Sequence, residues 1–386
     1  MKKPKLSRLN SFRLRNFKAV HDSRVVRLDG LTVLIGNNGS GKSSLIEGLQ
    51  AFKTLVSSGI DAAFQQWQVI ENIRHKGVAN RYIQSGQDEL NSTQPIEFHL
   101  RGSIDGNGFA STSTINESGG MNDLFFESEY YRCGELVLER ERDEFRRFEN
   151  KVKQKSVRVF PMSHSMLSPE LGDFVRRWQF LTMEPSGMGQ PTPQTRFRDR
   201  IDLAPNCANI AEYLLEIRSE DAEEFQGIIE SLKFVLPYAN DLQPTISGEL
   251  KRSVYLQLSE SANKIPGWLL STGSLRLIAI LACLRHPNPP PLLVIEEIEN
   301  GLDPRTVHLV VEEIRAAIAS KRTQVIITTH SPYLLDLLDL SHIVIVEREQ
   351  GQPTFKRPDA KQLSEWSEAF SPGKLYTMGR LGSKQK

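Results

Sequence analysis

Hydrophobic residues near the start of the chain alternate or cluster as they do in short strands. Apolar positions within residues 9–17 predict one strand, residues 25–28 a second, and the apolar run 31–35 a buried third. A glycine-rich loop follows, and the helical spacing beyond it predicts a helix from Lys42 to Leu55. The chain therefore begins with a small β unit that leads through a loop into a helix.

The pattern from residue 268 onward is a regular alternation of helices and strands. The predicted elements are helix Ser274–Arg285, strand Leu292–Ile295, helix Arg305–Ser320, strand Gln324–Thr328, helix Pro332–Leu338 and strand Ile343–Val346. These strands are apolar throughout, which is typical of a parallel sheet covered by helices on both faces. The predicted fold class is therefore α/β, with a mixed or parallel sheet flanked by helices.

The segment between these two regions has a mixed pattern and no internal repeat. No apolar heptad is sustained over several repeats, so we expect no long coiled coil. The predictions are a helix over Ala62–Ile73, a strand over Ile96–Leu100, an exposed loop over 102–120, a strand over Glu135–Arg142, a turn or short helix over Asp143–Lys155, a flexible connector over 184–206 and a helix over Ala208–Phe234.

The composition is that of an ordinary globular protein. Of 386 residues, 39% are hydrophobic and 25% charged, and the net charge is +1, so charge alone leaves DNA binding open. No run approaches the roughly 18 apolar residues of a membrane span, and no apolar core follows the basic start. We expect a cytoplasmic protein whose widely spaced cysteines, Cys133, Cys207 and Cys283, are buried in a reducing environment.

The strongest chemical signal is the segment Gly36–Ser43, which fits the pattern G-x-x-x-x-G-K-[ST] between an apolar strand and a helix. Glycines let backbone N–H groups approach phosphate oxygens, and the helix N-terminus adds positive charge. Lys42 is predicted to reach the β- and γ-phosphates, and the Ser43 hydroxyl to ligate Mg²⁺. The predicted nucleotide contacts are Asn37, Asn38, Gly39, Ser40, Gly41, Lys42, Ser43 and Ser44.

A second signal is the pair of carboxylates, Glu296 and Glu297, that ends the apolar strand Leu292–Ile295. Burying two adjacent carboxylates is costly unless a cation or a reaction needs them. Successive side chains of a strand diverge, so the two acids can have different roles. We predict that Glu296 holds Mg²⁺, directly or through water, and that Glu297 polarises the attacking water.

Two further motifs contribute predicted site residues. His330 follows the apolar strand Gln324–Thr328, so it is expected at the carboxyl edge of the sheet, where a ligand binds and where imidazole can hydrogen-bond a γ-phosphate. The segment Leu270–Arg276 opens a helix with small residues, including Ser271 and Gly273, which predicts either a second anion site or an ordinary serine cap.

With these motifs in this order, the chain resembles the ABC-type ATPases of the RecF/SMC/OLD branch. It is most similar to short AAA family ATPases of the AAA-15/AAA-21 type, without a long coiled coil or a TOPRIM domain. The segment Leu14–Lys18 is similar to the start of SMC and RecF heads, Leu270–Arg276 to the signature motif, and Glu296–Pro304 to the Walker B and D-loop run. His330 matches the switch histidine, and the glutamine of the Q-loop is not identified.

The resemblance implies a P-loop NTPase head of the ABC type, interrupted by a lobe. The implied domains are the N-terminal half of the head with the P-loop (1–60), an inserted lobe of mixed β and helical structure (61–250), the C-terminal half of the head with the signature, Walker B, D-loop and switch histidine (251–350) and a C-terminal tail (351–386). The match is specific over about 1–55 and 267–347 and only general between them.

The resemblance also implies that two subunits enclose two ATP molecules. Residues of one subunit would then face Ser271 and Gly273 of the other across the γ-phosphate, with Asp303 at the seam; those residues are Lys42, Ser43, Glu296, Glu297 and His330. Several positions depart from the family pattern, namely Thr272, Ser274, Ile298 and Glu296. The first two put the tightness of the contact between subunits in doubt, whereas Glu296 keeps its charge.

The leading hypothesis is a regulatory or sensor ATPase, in phage defence, that switches a separate effector such as a nuclease or toxin. The stretch after His330 is too short for a TOPRIM domain, which is why we expect the effector to be another protein. One alternative is a RecF-like repair protein whose ATP-bound dimers clamp DNA, which would bind DNA with strong salt dependence. Another is a scaffold that holds ATP and hydrolyses almost none, although Glu297 would then have no use.

Overall fold

The computed structural model describes residues 7–67, 70–75, 94–118, 123–142, 144–150, 152–158, 165, 167–195, 200–248, 252–359 and 369–381. The chain forms two compact units. The first contains Met1–Trp178 with Ile343–Asp359, and the second contains Gln179–His342 with Ala360–Lys386.

The elements are, in chain order, β1 (Arg8–Phe17), β2 (Val20–Asp22), β3 (Val26–Arg27), β4 (Leu31–Ile35), α1 (Lys42–Ser58), α2 (Ile60–Phe64), β5 (Ile96–Ile104), β6 (Asn107–Ser118), β7 (Asp123–Cys133), β8 (Leu136–Glu141), β9 (Glu144–Glu149), β10 (Val152–Arg158), α3 (Pro169–Arg176), β11 (Gln179–Leu181), α4 (Pro185–Met188), β12 (Thr192–Pro193), α5 (Ile210–Glu220), α6 (Ala222–Val235), β13 (Ala239–Ile246), β14 (Ser253–Glu260), β15 (Asn263–Pro266), α7 (Thr272–Arg285), β16 (Leu292–Ile295), α8 (Pro304–Ala319), β17 (Gln324–Thr328), α9 (Pro332–Asp336), β18 (Ile343–Glu349), β19 (Gln352–Lys356) and α10 (Pro372–Thr377).

The larger sheet of the first unit is antiparallel, in the order β10-β9-β8-β7-β6-β5-β1-β2, with β3 beside β1. The predicted loop over 102–120 is wrong, because β5 and β6 pair there through a tight turn at Asp105 and Gly106, both with positive φ. The small polar residues Ser111 and Ser113 are buried within β6. Strands whose inward positions are serine lack the hydrophobic alternation that identifies a strand in sequence.

The prediction of a turn or short helix over Asp143–Lys155 is also wrong, because β9 and β10 form a hairpin that turns at Asn150. The high charge density of β9 concealed that strand in the sequence, since its charged side chains pair with one another on the sheet. Arg146 of β9 donates two hydrogen bonds to Glu144, at 3.0 and 2.7 Å. The β8 strand within the predicted Glu135–Arg142 segment is confirmed.

The remaining strands of the first unit carry the glycine-rich loop. Buried β4 pairs in parallel with β18, which pairs antiparallel with β19. The predicted helix after the loop is confirmed as α1, but the predicted helix over Ala62–Ile73 is wrong. Only α2 is α-helical, and short 3₁₀ turns follow it at Gln65–Trp67 and Ile70–Asn72. Trp67 packs edge-on against Phe17, a tertiary contact that competes with helical propensity.

The second unit contains the parallel strands β11, β16 and β17 and an antiparallel sheet in which β14 lies between β12 and β13 and also pairs with β15. The helix predicted over Ala208–Phe234 is two helices, because Asp221 caps α6 by accepting hydrogen bonds from Glu223 N–H and Glu224 N–H. The predicted connector over 184–206 contains α4 and β12, and residues 196–199 of it lie outside the described residues.

The predicted α/β class and the alternation after residue 268 are confirmed. Strands β16 and β17 are buried along their whole length, and their neighbouring helices α7 and α8 bury long apolar faces. Cys207 and Cys283 are buried as expected, and burial raises the pKa of the Cys207 thiol to about 12. None of the helices in the described ranges has the length and apolar character that crossing a bilayer requires.

Candidate functional site

The glycine-rich loop joins β4 to α1 and curls around the side chain that the sequence singled out. Gly36, Gly39 and Gly41 have φ values of +151°, +74° and +117°, a region that residues with a side chain rarely adopt. Lys42 begins α1 and is buried, and its Nζ donates hydrogen bonds to the carbonyls of Gly36 at 2.6 Å and Asn37 at 3.2 Å. The ammonium group is thus held inside the turn that the glycines make.

The remaining loop residues divide into an exposed tip and a buried interior. Asn37, Asn38 and Gly39 are exposed, and so is Ser43 in the first turn of α1, whereas Ser44 is half-buried. Ser40 is buried, and its hydroxyl oxygen has no hydrogen-bond partner. An unpaired buried hydroxyl is costly unless a ligand satisfies it, and a phosphate oxygen is the acceptor that this loop conformation suits.

A wall beside the loop, formed by the hairpin of β18 and β19, was not predicted from the sequence. A Cβ on Gly36 would lie 2.1 Å from the carbonyl oxygen of Val346, and one on Gly41 would lie 2.8 Å from the ring of Pro353. Arg348 donates a hydrogen bond from Nε to the Gly39 carbonyl at 2.8 Å. The loop is therefore packed at its base and hydrogen-bonded at its tip by a segment some 300 residues away in sequence.

In the second unit, the two predicted carboxylates end β16 in different environments. Glu296 is half-buried, whereas Glu297 is exposed and has a φ of +47°, which is uncommon for a residue with a side chain. The N–H of Glu297 donates to the Thr328 hydroxyl at 2.8 Å, and its carboxylate accepts a hydrogen bond from the Asn300 amide. The two acids therefore differ in exposure, and their separate roles remain a prediction.

The switch-histidine candidate is connected to the same turn. His330 is half-buried, two residues beyond the end of β17, and its backbone N–H donates to Oε1 of Glu299 at 2.7 Å. Glu299 was not singled out from the sequence. A third carboxylate so close to the acidic pair is the signal that could have identified it, although residues 298–301 form a turn in which strand alternation does not apply.

The signature-like segment begins α7, and the serine-cap alternative is observed within the chain. The Ser271 hydroxyl accepts a hydrogen bond from Ser274 N–H at 3.1 Å and lies 2.8 Å from the Ser274 hydroxyl. Gly273 faces the turn after β16 so closely that a Cβ there would lie 2.4 Å from the Gly301 carbonyl oxygen. Ser271 and Thr272 are exposed.

Asp303 caps α8 and is satisfied within its own chain. Its carboxylate accepts hydrogen bonds from Arg305 N–H at 2.9 Å, from Thr306 N–H at 3.2 Å and from the Thr306 hydroxyl. These donors, the hydroxyl first, lower the pKa of Asp303. The structural role of this aspartate is therefore clear, and its predicted place at a seam between subunits remains a prediction.

The donor chemistry of the predicted metal ligands fits Mg²⁺, which prefers oxygen. Within the described ranges, no group of three or more His, Cys, Asp or Glu side chains is placed to hold a metal ion. Mg²⁺ at a nucleotide site does not need such a group, because phosphates and water supply most of its ligands. The predicted ligands, Ser43 and Glu296, carry oxygen donors of this kind, and their role in holding the ion remains a prediction.

Comparison with solved structures defines the class of the fold. The chain is similar to an SMC head bound to the C-winged helix domain of ScpA, with a TM-score of 0.52 and 15% identity over 92% of this chain and 99% of that one. It is similar to an SMC head from Pyrococcus furiosus, with an extended coiled coil and bound to the C-terminal domain of ScpA, with a TM-score of 0.55 and 12% identity over 94% of this chain and 99% of that one. The predicted fold of an ABC-type, SMC-like ATPase head is confirmed.

Sequence comparison then gives the family. Residues 31–336 match the family AAA_21, described as "AAA domain, putative AbiEii toxin, Type IV TA system". The match covers well over half of the chain, so the protein belongs to this family. No curated protein matches the chain.

Proposed function

We propose that this protein binds ATP with Mg²⁺ and hydrolyses it to ADP and phosphate. The observation that carries the proposal is the glycine-rich loop, whose three positive-φ glycines enclose Lys42 and leave the Ser40 hydroxyl buried without a partner. Membership of an AAA-domain family and the fold of an ATPase head support it.

Each predicted residue then has a definite task. Lys42 and the loop N–H groups bind the β- and γ-phosphates, and Ser43 and Glu296 hold Mg²⁺, which neutralises phosphate charge. Glu297 accepts the proton of the attacking water, which can reach its exposed carboxylate. His330 hydrogen-bonds the γ-phosphate and so distinguishes ATP from ADP.

Nucleotide affinity tests the first half of the proposal. A fluorescent ATP analogue should bind the wild type and bind Lys42→Ala at least about tenfold more weakly, because charge-assisted hydrogen bonds to phosphate are lost. Lys264→Ala, at an exposed position of β15, removes the same charge elsewhere and should bind like the wild type. Equal affinity of all three proteins would refute the assignment of the loop.

Turnover tests the second half. Glu297→Gln should bind the analogue normally but release phosphate at no more than about one hundredth of the wild-type rate. The reason is that a general base contributes a factor of roughly 10²–10⁴ to the rate. Removing Mg²⁺ with a chelator should stop the remaining turnover. Equal rates for the wild type and Glu297→Gln would show that Glu297 is not the base and would favour the low-turnover scaffold.

We further propose that ATP joins two copies of the chain head to head. Ser271 and Gly273 of one copy would contact the γ-phosphate held by Lys42 of the other, and Asp303 would lie at the seam. Light scattering of Glu297→Gln should give a mass near the 43.7 kDa of one chain with ADP and twice that mass with ATP. An ATP-independent mass would count against the dimer.

The ATPase is proposed to regulate a separate effector, such as a nuclease or toxin, in phage defence. The family description names a putative toxin and a type IV TA system, and both matched SMC heads are bound to domains of another protein, which supports a partner. Purification with the products of neighbouring genes should recover a protein whose association depends on ATP. A solitary protein that itself cleaves DNA would contradict this role.

A further inference from the structure

Glu299 is a third carboxylate in the turn after β16, and it touches the switch-histidine candidate. Its Oε1 accepts the backbone N–H of His330 at 2.7 Å. Hydrogen bonds to a charged carboxylate are about twice as strong as neutral ones. The peptide that carries the imidazole is therefore fixed to the turn that carries the two Walker B acids.

Two other connections between the turn and β17 are made by backbone groups of the turn. The N–H groups of Glu297 and Ile298 donate to the hydroxyl and carbonyl of Thr328, at 2.8 and 3.3 Å. Because these donors are backbone groups, substitution in the turn leaves them in place. The contact of Glu299 is made by its side chain. Substituting Glu299 therefore removes the hydrogen bond to the His330 N–H.

The second carboxylate oxygen argues against a purely structural purpose. Oε2 of Glu299 is buried and has no hydrogen-bond partner. Leaving a buried charged oxygen unpaired costs more than about 1–3 kcal/mol, so selection for stability alone would favour a different residue. Such groups are few in native structures, and a functional site is one explanation for keeping one.

We propose that Glu299 is a positioning residue that sets the place of His330 relative to Glu296 and Glu297. The proposal rests on the ATPase function proposed above. Glu299 does not touch the nucleotide in this scheme, and it acts through the His330 peptide. Because a displacement of about 1 Å can reduce a rate about 100-fold, losing the contact is expected to affect turnover more than binding.

Steady-state kinetics of four proteins test the proposal. Glu299→Ala should lower kcat by about tenfold or more while the KM for ATP stays within about twofold. Glu299→Gln keeps an acceptor oxygen and should recover most of that loss. Glu312→Ala, which removes an exposed glutamate of α8 that pairs with Arg315, should behave as the wild type.

A double-mutant cycle separates action through His330 from general damage. Adding Glu299→Ala to His330→Ala should change kcat less than about twofold, because the group that Glu299 positions is already gone. Full additivity, or a His330→Ala variant as active as the wild type, would overturn the inference. A general loss of folding would instead lower the melting temperature and reduce kcat by the same factor with and without His330.

Amide exchange tests the same contact without turnover. In protein labelled at histidine nitrogen, with the signal assigned through His330→Ala, the His330 N–H should exchange slowly in the wild type and faster in Glu299→Ala. Unchanged exchange refutes the inference even if the ATPase is active. A protein that binds ATP and never hydrolyses it, but whose His330 N–H is protected by Glu299, would refute the proposed function and leave the contact established.

Discussion

Gly273 has the most sharply defined steric role of the candidate site residues. It lies in the first turn of α7, and a Cβ on it would lie 2.4 Å from the carbonyl oxygen and 3.5 Å from the carbonyl carbon of Gly301. The atoms that obstruct a Cβ belong to the backbone of Gly301, so rotation of a side chain cannot relieve the clash. Gly301 itself has a φ of +72° in the turn before α8, which restricts how that carbonyl can move.

The cost of Gly273→Ala follows from this distance. Ordinary contact begins near 3.4 Å, so α7 or the Gly301 turn has to move by about 1 Å. Overpacking of this size costs about 2 kcal/mol, within the usual range of 1–3 kcal/mol. For a unit of 150–250 residues, this should lower the melting temperature by about 4–8 °C.

Thermal unfolding without nucleotide, at low protein concentration, checks this value. Gly187→Ala is the matched control, since its Cβ would find its nearest neighbour, Ala208 Cβ, at 3.9 Å. A melting temperature of Gly273→Ala within about 1 °C of the control would refute the steric reasoning. The result also bears on function, because lost ATP turnover in Gly273→Ala cannot be assigned to a contact between subunits until this loss within one chain is subtracted.

Three further outcomes are expected. Thr306→Val removes the hydroxyl that lowers the pKa of Asp303, so above about pH 4 it should reduce the free energy of unfolding by about 0.5–1 kcal/mol. In urea unfolding at a series of pH values, the difference between wild type and variant should disappear as the pH falls through that lowered pKa. Glu313→Gln should cost about 1–2 kcal/mol in the same assay at neutral pH, because buried Glu313 accepts two hydrogen bonds from Arg285, at 2.9 and 2.8 Å; an unchanged midpoint would show that the pair contributes little. Glu297→Gly should be about 1 kcal/mol more stable than Glu297→Ala, since only glycine adopts a φ of +47° without strain. Neither variant should hydrolyse ATP. A less stable Glu297→Gly would contradict this backbone conformation.

Local sequence was sufficient to predict the conformation of the glycine-rich loop. The strand β4, the glycines and the start of α1 are contiguous, and each residue type is explained by its own backbone conformation or charge. The hairpin wall was not predictable in the same way. Nothing near Arg348 or Pro353 in sequence indicates contact with Gly39 or Gly41, because that contact exists only once β18 pairs with β4.

The antiparallel sheet shows where hydrophobic pattern fails. Strand β6 was missed because it buries serine and β9 because it pairs charges, whereas β16 and β17 were found because both of their faces are apolar. The same sheet also buries an ion pair, in which Nη1 of Arg140 on β8 donates to Glu129 of β7 at 3.1 Å. The strand β8 was nevertheless predicted, because its residues alternate as they do in a strand.

Three features that do not favour stability lie at residues of the candidate site. Glu297 has a strained φ, Glu299 has a buried oxygen without a partner, and Ser40 has a buried hydroxyl without one. Glycine at 297 and apolar residues at the other two positions would remove each cost, which is of order 1–3 kcal/mol. Retaining all three is intelligible if a triphosphate satisfies Ser40 and if the turn has to hold a carboxylate and the His330 peptide in a fixed arrangement. The ATPase proposal accounts for all three costs by one ligand and one geometry, which a purely structural account of these segments does not.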